Sequence, residues 1–375
     1  MRMREGIEAF GAVQRERGAA PVIEHIHLDE PRPDEVLVRI VGTGVCHTDL
    51  VMRDQLVPTP FPAVLGHEGA GVVERVGGAV DGLAPGDHVV LSFASCGGCP
   101  SCGHSEPAYC HSWFPLNFMG MRADGSSAIT DAGGQAIHSH IFGQSSFATY
   151  AVVNARNAVL VDPAIPLKLL GPLGCGLQTG AGAVLNALKV RRGSSVAVLG
   201  TGAVGLSAVM AAGIAGASTI VAVDLKQQRV EIARELGATH GTVPMPGGMR
   251  EVAADVGLPA GFDYIVDTTG SAAVGNDAIL ALAPRGEIAL VGAYPPGADI
   301  VCDGTHILSG GRVIRGVVEG GAEPHSFIPK LIEYWQDGQF PFDKLIEFFP
   351  LSEIEEAIRL SEEGVVVKPV ILMET

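Results

Sequence analysis

Residues 195–224 read as strand, glycine turn, helix, strand and acid, an order that few folds accept. Ser195-Val196-Ala197-Val198-Leu199 is a short run rich in β-branched residues and leads straight into Gly200-Thr201-Gly202-Ala203-Val204-Gly205, a G-x-G-x-x-G. Small residues at Ser207, Ala208, Ala211, Ala212 and Ala215 predict a closely packed helix, and Thr219-Ile220-Val221-Ala222-Val223 predicts a second strand that ends at Asp224. In that setting Gly200 turns the chain, Gly202 lets a pyrophosphate approach the backbone, and Gly205 seats the helix against the sheet. The helix start at Ala203 and Val204 offers free N–H groups and the positive end of the helix dipole to phosphates. Asp224 follows the first glycine at the distance where a carboxylate accepts both ribose hydroxyls of NAD and repels the extra phosphate of NADP. A solvated acid at a strand end is the plain alternative, and the surrounding β-α-β pattern argues for the ribose.

A second constraint is the run Cys96, Cys99, Cys102 and Cys110, spaced C-x2-C-x2-C-x7-C. Four thiolates close a tetrahedral zinc, and short spacings let one lobe supply them all. Disulfides would need an oxidising compartment. A bacterial iron–sulfur run would end C-x3-C-P, whereas here the last gap is longer and His111 follows Cys110. Three further candidate ligands lie elsewhere: Cys46, His67 and Cys175. A zinc held by only three protein groups keeps one position open for chemistry. Two zinc ions per subunit are therefore expected, one structural and one catalytic.

At 375 residues the chain is long enough for two domains, and its formal charge of −16 argues against nucleic acid or an anionic membrane as partner. Residues 193–223 carry no charge and are long enough to span a bilayer, but glycines interrupt them and a buried β-α-β unit explains the run better. Residues 1–20 carry several Arg and Glu and no apolar core of a signal peptide, which gives a cytoplasmic expectation. In the first half, residues 36–41, 69–76 and 87–92 are short β-type runs between Gly and Pro turns, suited to a β-rich barrel. Residues 263–267 and 287–292 extend the parallel sheet, and residues 227–236 predict a helix closed by Gly237. Phe327, Ile328, Leu331, Ile332 and Trp335 recur at helical spacing and are expected to pack in a core. Ser352-Glu353-Ile354-Glu355 is expected to open a helix as a capping box.

Taken together these motifs resemble the zinc-dependent medium-chain alcohol dehydrogenases, over essentially the whole chain. The most specific stretch is Gly66-His67-Glu68-Gly69-Ala70-Gly71, with Gly77 and Val80 following. Cys46-His47-Thr48-Asp49 is similar to the turn that bears the first metal ligand, and Gly174-Cys175-Gly176 with Thr179-Gly180 to the third. The resemblance implies an α/β chain: a GroES-like catalytic domain over 1–177 with the zinc lobe at about 95–111, a Rossmann domain over 178–319, and a return to the catalytic domain over 320–375. It implies Cys46, His67 and Cys175 as catalytic zinc ligands, Glu68 as an alternate ligand, and Asp49 orienting His67. Thr48 would bond the substrate oxygen. Thr179, Val204 and Val291 would border the nicotinamide, Arg229 the adenosine ribose, and Lys368 the pyrophosphate.

Two positions depart from the common pattern. His47 stands where many members have arginine, and Val51 where many have the histidine that passes a proton to solvent. Both, with Leu91-Ser92-Phe93-Ala94-Ser95-Cys96, resemble the bacterial branch acting on aromatic and allylic primary alcohols such as benzyl alcohol or geraniol. Phe93, Trp113 and Phe142 are the expected pocket residues, and His47 either relays the proton or holds the cofactor. A small alcohol or aldehyde is the expected partner, with a homodimer or tetramer as the assembly. The alternatives are a dehydrogenase of S-hydroxymethyl thiols, a zinc-free quinone reductase, and an NAD-binding structural or regulatory protein without turnover.

Overall fold

Strands Ser195–Leu199 and Thr219–Val223 pair in parallel, flanking helix Ala203–Ile214, at the centre of a six-stranded sheet. The sheet runs His240–Thr242, Thr219–Val223, Ser195–Leu199, Phe262–Asp267, Leu282–Leu290, Val313–Gly316, with every neighbouring pair parallel. Ser195–Leu199 is buried along its whole length, as expected for a central strand covered on both faces. Helix Gln227–Glu235 is followed by Gly237 at φ +111°, so the predicted stop is where the chain reverses.

This computed structural model describes residues 6–373. They fold as two units. One takes the chain up to Cys175, Glu323–Pro329 and the stretch from Asp343 onward; the other takes Gly176–Ala322 and Lys330–Phe342. Residues 330–342, expected to return to the catalytic domain, thus belong to the unit that carries the parallel sheet, where Trp335 packs on Phe342 with ring centroids 5.7 Å apart.

The first unit is β-rich. Seven strands form its larger sheet, in the order Ala158–Val161, His88–Leu91, Gly69–Val76, Glu35–Gly44, Lys368–Leu372, Ile346–Pro350, with Tyr150–Asn154 also paired to Glu35–Gly44. A second sheet of five runs Ala63–Val64, Ile7–Gln14, Val22–Leu28, Ile129–Asp131, Ala136–Ile137. A continuous aliphatic core fills this unit, from Val13, Ile26, Val36, Val38 and Ile40 to Val89, Leu91, Ile137, Val153 and Ile371. The capping box expected at Ser352 does not form: Leu351–Glu353 is a tight three-residue turn, and helix Ile354–Glu362 begins after Glu353 with no side-chain cap.

One buried ionic knot braces this unit. Arg122 donates Nε to Glu35 Oε1 at 2.7 Å and Nη2 to Oε2 at 2.9 Å, and the Arg32 N–H donates to Oε2 at 3.0 Å. His140 lies 3.8 Å from the same carboxylate and bonds Ser139 through Nδ1. Burial works against the Glu35 charge, yet His140 and Arg122 outweigh it and hold the carboxyl down to about 2.

Candidate active site and metal centres

Cys46 caps helix His47–Arg53, and the third residue of that helix, Asp49, ties the site together. Its Oδ2 accepts the Cys46 N–H at 3.0 Å, while Oδ1 accepts the Gly66 N–H at 3.1 Å and lies 2.8 Å from His67 Nδ1. A carboxylate can only accept, so the His67 proton belongs on Nδ1 and the Nε2 lone pair is presented elsewhere. Nε2 is buried and makes no hydrogen bond among the described residues. Ligand atoms of Cys46, His67, Glu68 and Cys175 all lie within 4.8 Å of one another. Cys175 holds the Cys46 thiol well below its ordinary range, against the cost of burial. Thiolates and imidazole around an unbonded buried nitrogen fit zinc.

Glu68 is fully buried and faces Lys368, whose Nζ donates to both carboxylate oxygens at 3.0 and 2.9 Å and to the Val45 carbonyl at 3.1 Å. Gly44 makes room for that carboxylate, since a Cβ there would collide with it. Burial pushes the Glu68 carboxyl upward against Lys368; the ammonium is itself held above its ordinary range by Glu68, although burial opposes this. Lys368, expected at the pyrophosphate, thus has its amine engaged by Glu68 and the Val45 carbonyl inside this unit.

Residues 139–147 grip the loop between strands Ala63–Val64 and Gly69–Val76 that carries His67. Gln144 donates Nε2 to the His67 carbonyl at 2.9 Å and accepts the Gly69 N–H at 3.0 Å. Ser145 Oγ donates to the Val64 carbonyl, and the backbones of Ser146 and Phe147 bond Gly66 and Leu65. His140, Phe142 and Ser145 all take positive φ (64°, 50° and 55°), a strain kept only where neighbours over-determine the loop. Phe142 comes to rest on the His67 ring, Trp113 meets Phe142 at 6.0 Å and Phe93 meets Trp113 at 5.1 Å between centroids. The three residues expected to line the pocket therefore form one aromatic wall, joined by Phe118 at 5.1 Å from Phe142. Asn117 fixes its geometry by bonding Ala94 through both N–H and C=O and the Trp113 carbonyl. Neither Gln144 nor Asn117 sits in a motif, and only the buried amide contacts reveal them. Thr48 is half-buried behind Cys46, and His47 is exposed.

Cys96, Cys99, Cys102 and Cys110 also converge within 4.8 Å. Backbone N–H groups of Cys96 and Ser112 point at the Cys110 sulfur, and that of His111 at the Cys99 sulfur, at 3.3 to 3.4 Å. Backbone donors at Cys102 and His111 draw the Cys99 thiol down to about 6, whereas burial pushes Cys110 up to about 12.

In the second unit Gly200 takes φ +81°, and a side chain at Gly205 would collide with the Gly200 carbonyl, so both positions demand glycine. Gly202 faces open space ahead of Ala203. Asp224 Oδ2 accepts the N–H and hydroxyl of Thr201 at 2.7 and 2.8 Å, and Oδ1 accepts the Lys226 N–H at 2.9 Å, which fixes the carboxylate at the strand end. Burial lowers the Arg229 guanidinium against the pull of Asp224. Val291 is held at its place by an N–H bond to the Asp267 carbonyl at 2.9 Å. Thr179 precedes Gly180, where a side chain would strike the Val204 carbonyl. Its hydroxyl donates to Glu319, an acid that sequence reasoning missed.

Comparison with known proteins agrees with this geometry. Residues 32–163 match the family described as alcohol dehydrogenase GroES-like domain, and residues 203–335 match zinc-binding dehydrogenase. Geraniol dehydrogenase of Castellaniella defragrans is 43% identical over 366 residues, 98% of each chain. The crystal structure of benzyl alcohol dehydrogenase from Acinetobacter calcoaceticus aligns at 44% identity and TM-score 0.93 over 98% of this chain and 100% of that one. An alcohol dehydrogenase zinc-binding domain protein from Burkholderia ambifaria aligns at 49% identity and TM-score 0.96 over 99% and 100%. The chain belongs to the zinc-dependent medium-chain alcohol dehydrogenase family.

Proposed function

We propose that this protein oxidises bulky apolar primary alcohols of the aryl or allylic type to aldehydes with NAD, reversibly. The observation that carries the substrate class is the aromatic wall of Phe93, Trp113, Phe118 and Phe142, resting directly on the His67 ring. Such a wall rewards a flat or unsaturated carbon skeleton and offers a polar adduct no counter-charge. The geraniol and benzyl alcohol dehydrogenases found among the relatives support the same class.

Cys46, His67 and Cys175 would hold the catalytic zinc, with Glu68 behind them, and Cys96, Cys99, Cys102 and Cys110 the structural one. When bound, zinc supplies a Lewis acid at the substrate oxygen and NAD supplies the hydride acceptor. Asp49 keeps the His67 tautomer and ring orientation that ligation needs. Thr48 would accept the alcohol proton at Oγ1, and the exposed His47 beside it would carry that proton to water. Gly200, Gly202, Ala203, Val204 and Gly205 would cradle the pyrophosphate. Asp224, with Arg229 near it, would hold the adenosine ribose and set the preference for NAD. Thr179, Val204 and Val291 would border the nicotinamide.

The protein would act in the cytoplasm as a homodimer; no helix among the described residues is long and apolar enough to cross a membrane. A substrate panel tests the activity: NADH formation with benzyl alcohol, cinnamyl alcohol, geraniol, ethanol and an S-hydroxymethyl thiol. Benzyl alcohol or geraniol should show the highest kcat/KM. A higher value for ethanol or for the thiol adduct would defeat the proposal.

A further inference from the structure

Glu319 is only 7% exposed and has a backbone φ of +46°, followed by Gly320 and Gly321 at +66° and +58°. Left-handed backbone favours glycine, and the next two positions have it. A buried glutamate at the first position is therefore a strained choice that wants a reason. Its Oε2 accepts hydrogen bonds from Gln178 Nε2 at 3.2 Å and from Thr179 Oγ1 at 3.3 Å. Close glycine packing makes this reach possible, since a side chain at Gly182 would meet the Gly320 backbone and one at Gly320 would meet the Gln178 carbonyl.

A hydroxyl has one proton, and that of Thr179 is directed at Glu319. On its remaining sides the Thr179 oxygen offers lone pairs alone. The nicotinamide is positively charged when oxidised and neutral when reduced. An acceptor oxygen backed by a buried carboxylate in a low-dielectric corner favours the charged ring.

We propose that Glu319 is a positioning residue that acts through Thr179 to make the cofactor unit hold oxidised nicotinamide in preference to reduced nicotinamide. The proposal rests on the reading that Thr179 borders the nicotinamide ring.

Titration calorimetry on the metal-loaded protein tests it, with NAD+, NADH and ADP-ribose as ligands. The wild type is compared with Glu319→Gln, Thr179→Val and the double variant. Glu319→Gln should weaken NAD+ about tenfold, the worth of one charge-assisted hydrogen bond, while NADH and ADP-ribose change by less than about twofold. In the Thr179→Val background the same change should have almost no further effect. Equal weakening of NAD+ and NADH, or any comparable loss of ADP-ribose binding, would mark Glu319 as a structural support and overturn the proposal. A full-sized Glu319→Gln effect that persists without the Thr179 hydroxyl would overturn it as well. Should Glu319→Gln not fold, Thr179→Val alone must reduce the preference for NAD+ over NADH, and an unchanged preference refutes the idea. If the wild type binds neither dinucleotide, the dehydrogenase reading fails first, a result distinct from all of these.

Discussion

Phe142 stacks on the imidazole of His67, with ring centroids 4.6 Å apart and planes inclined by 28°. The aromatic residues proposed to line the substrate pocket and the proposed metal ligand are thus in direct contact, and a change in one is felt by the other. Phe142→Leu keeps an apolar side chain but removes the ring. It should lower kcat/KM for benzyl alcohol about tenfold, the order of one aromatic pair, and leave ethanol nearly unchanged. Equal losses for both alcohols would show that Phe142 serves His67 rather than the substrate.

The two thiol clusters should come apart under mutation. Cys175→Ala should lose one zinc and all turnover while the circular dichroism spectrum and melting temperature stay close to the wild type. Cys102→Ala should lose the other zinc and lower the melting temperature or aggregate, because residues 95–111 have little apolar core of their own. Elemental analysis checks both, and about one zinc per untouched chain would contradict the two-site assignment.

Asp224 should govern cofactor choice. Its carboxylate is held by Thr201 and Lys226, so the charge is fixed at the strand end proposed to receive the ribose. Asp224→Ser should raise KM for NAD and lower that for NADP, narrowing a preference of roughly a hundredfold or more, as a lost charged acceptor implies. Equal use of both cofactors by the wild type would remove the basis for this assignment.

Glu35 should make stability fall in acid. Its carboxyl is lowered from 4.5 to about 2 by His140 and Arg122 despite burial. A group depressed on folding stabilises fully above its unfolded value, and the contribution fades as the pH drops from about 4.5 toward 2. The gain above that window is about 3 kcal/mol. Denaturant unfolding of the wild type and Glu35→Gln should differ most at pH 6 and converge near pH 2. A constant difference across that range would exclude this linkage.

His47 and Val51 bear on the proton route. Val51 cannot titrate, so His47→Gln should reduce kcat mainly at lower pH, and Val51→His should restore part of the loss, within the ~10²–10⁴-fold that general-base help supplies. A rise in KM for NAD with an unchanged pH profile would make His47 a cofactor ligand only.

The parallel sheet, the glycine turn and the four-cysteine cluster were legible because each is written locally: strand residues, glycines at fixed spacing, cysteines within one lobe. Cys46, His67 and Cys175 could be gathered only through a family resemblance, since no spacing joins residues so far apart. What stayed hidden was nonlocal. Gln144 and Asn117 act through amide bonds to backbones many residues away, and a lone amide carries no pattern. The bond between Lys368 and Glu68 was hidden for the same reason, since a lysine carries no sign of a partner 300 residues distant. The capping box at Ser352 failed because a tight turn begins earlier, at Leu351, and leaves the serine inside it.

That 300-residue bond also ties the centre to a strand far along the chain. Lys368 begins strand Lys368–Leu372, which enters the sheet between Glu35–Gly44 and Ile346–Pro350. A polypeptide lacking this strand would carry Cys46, His67 and Cys175, yet it would miss the Lys368 amine that meets Glu68 and leave a gap beside Glu35–Gly44. The donors for the proposed metal are therefore complete in sequence before the sheet that backs them is complete in space.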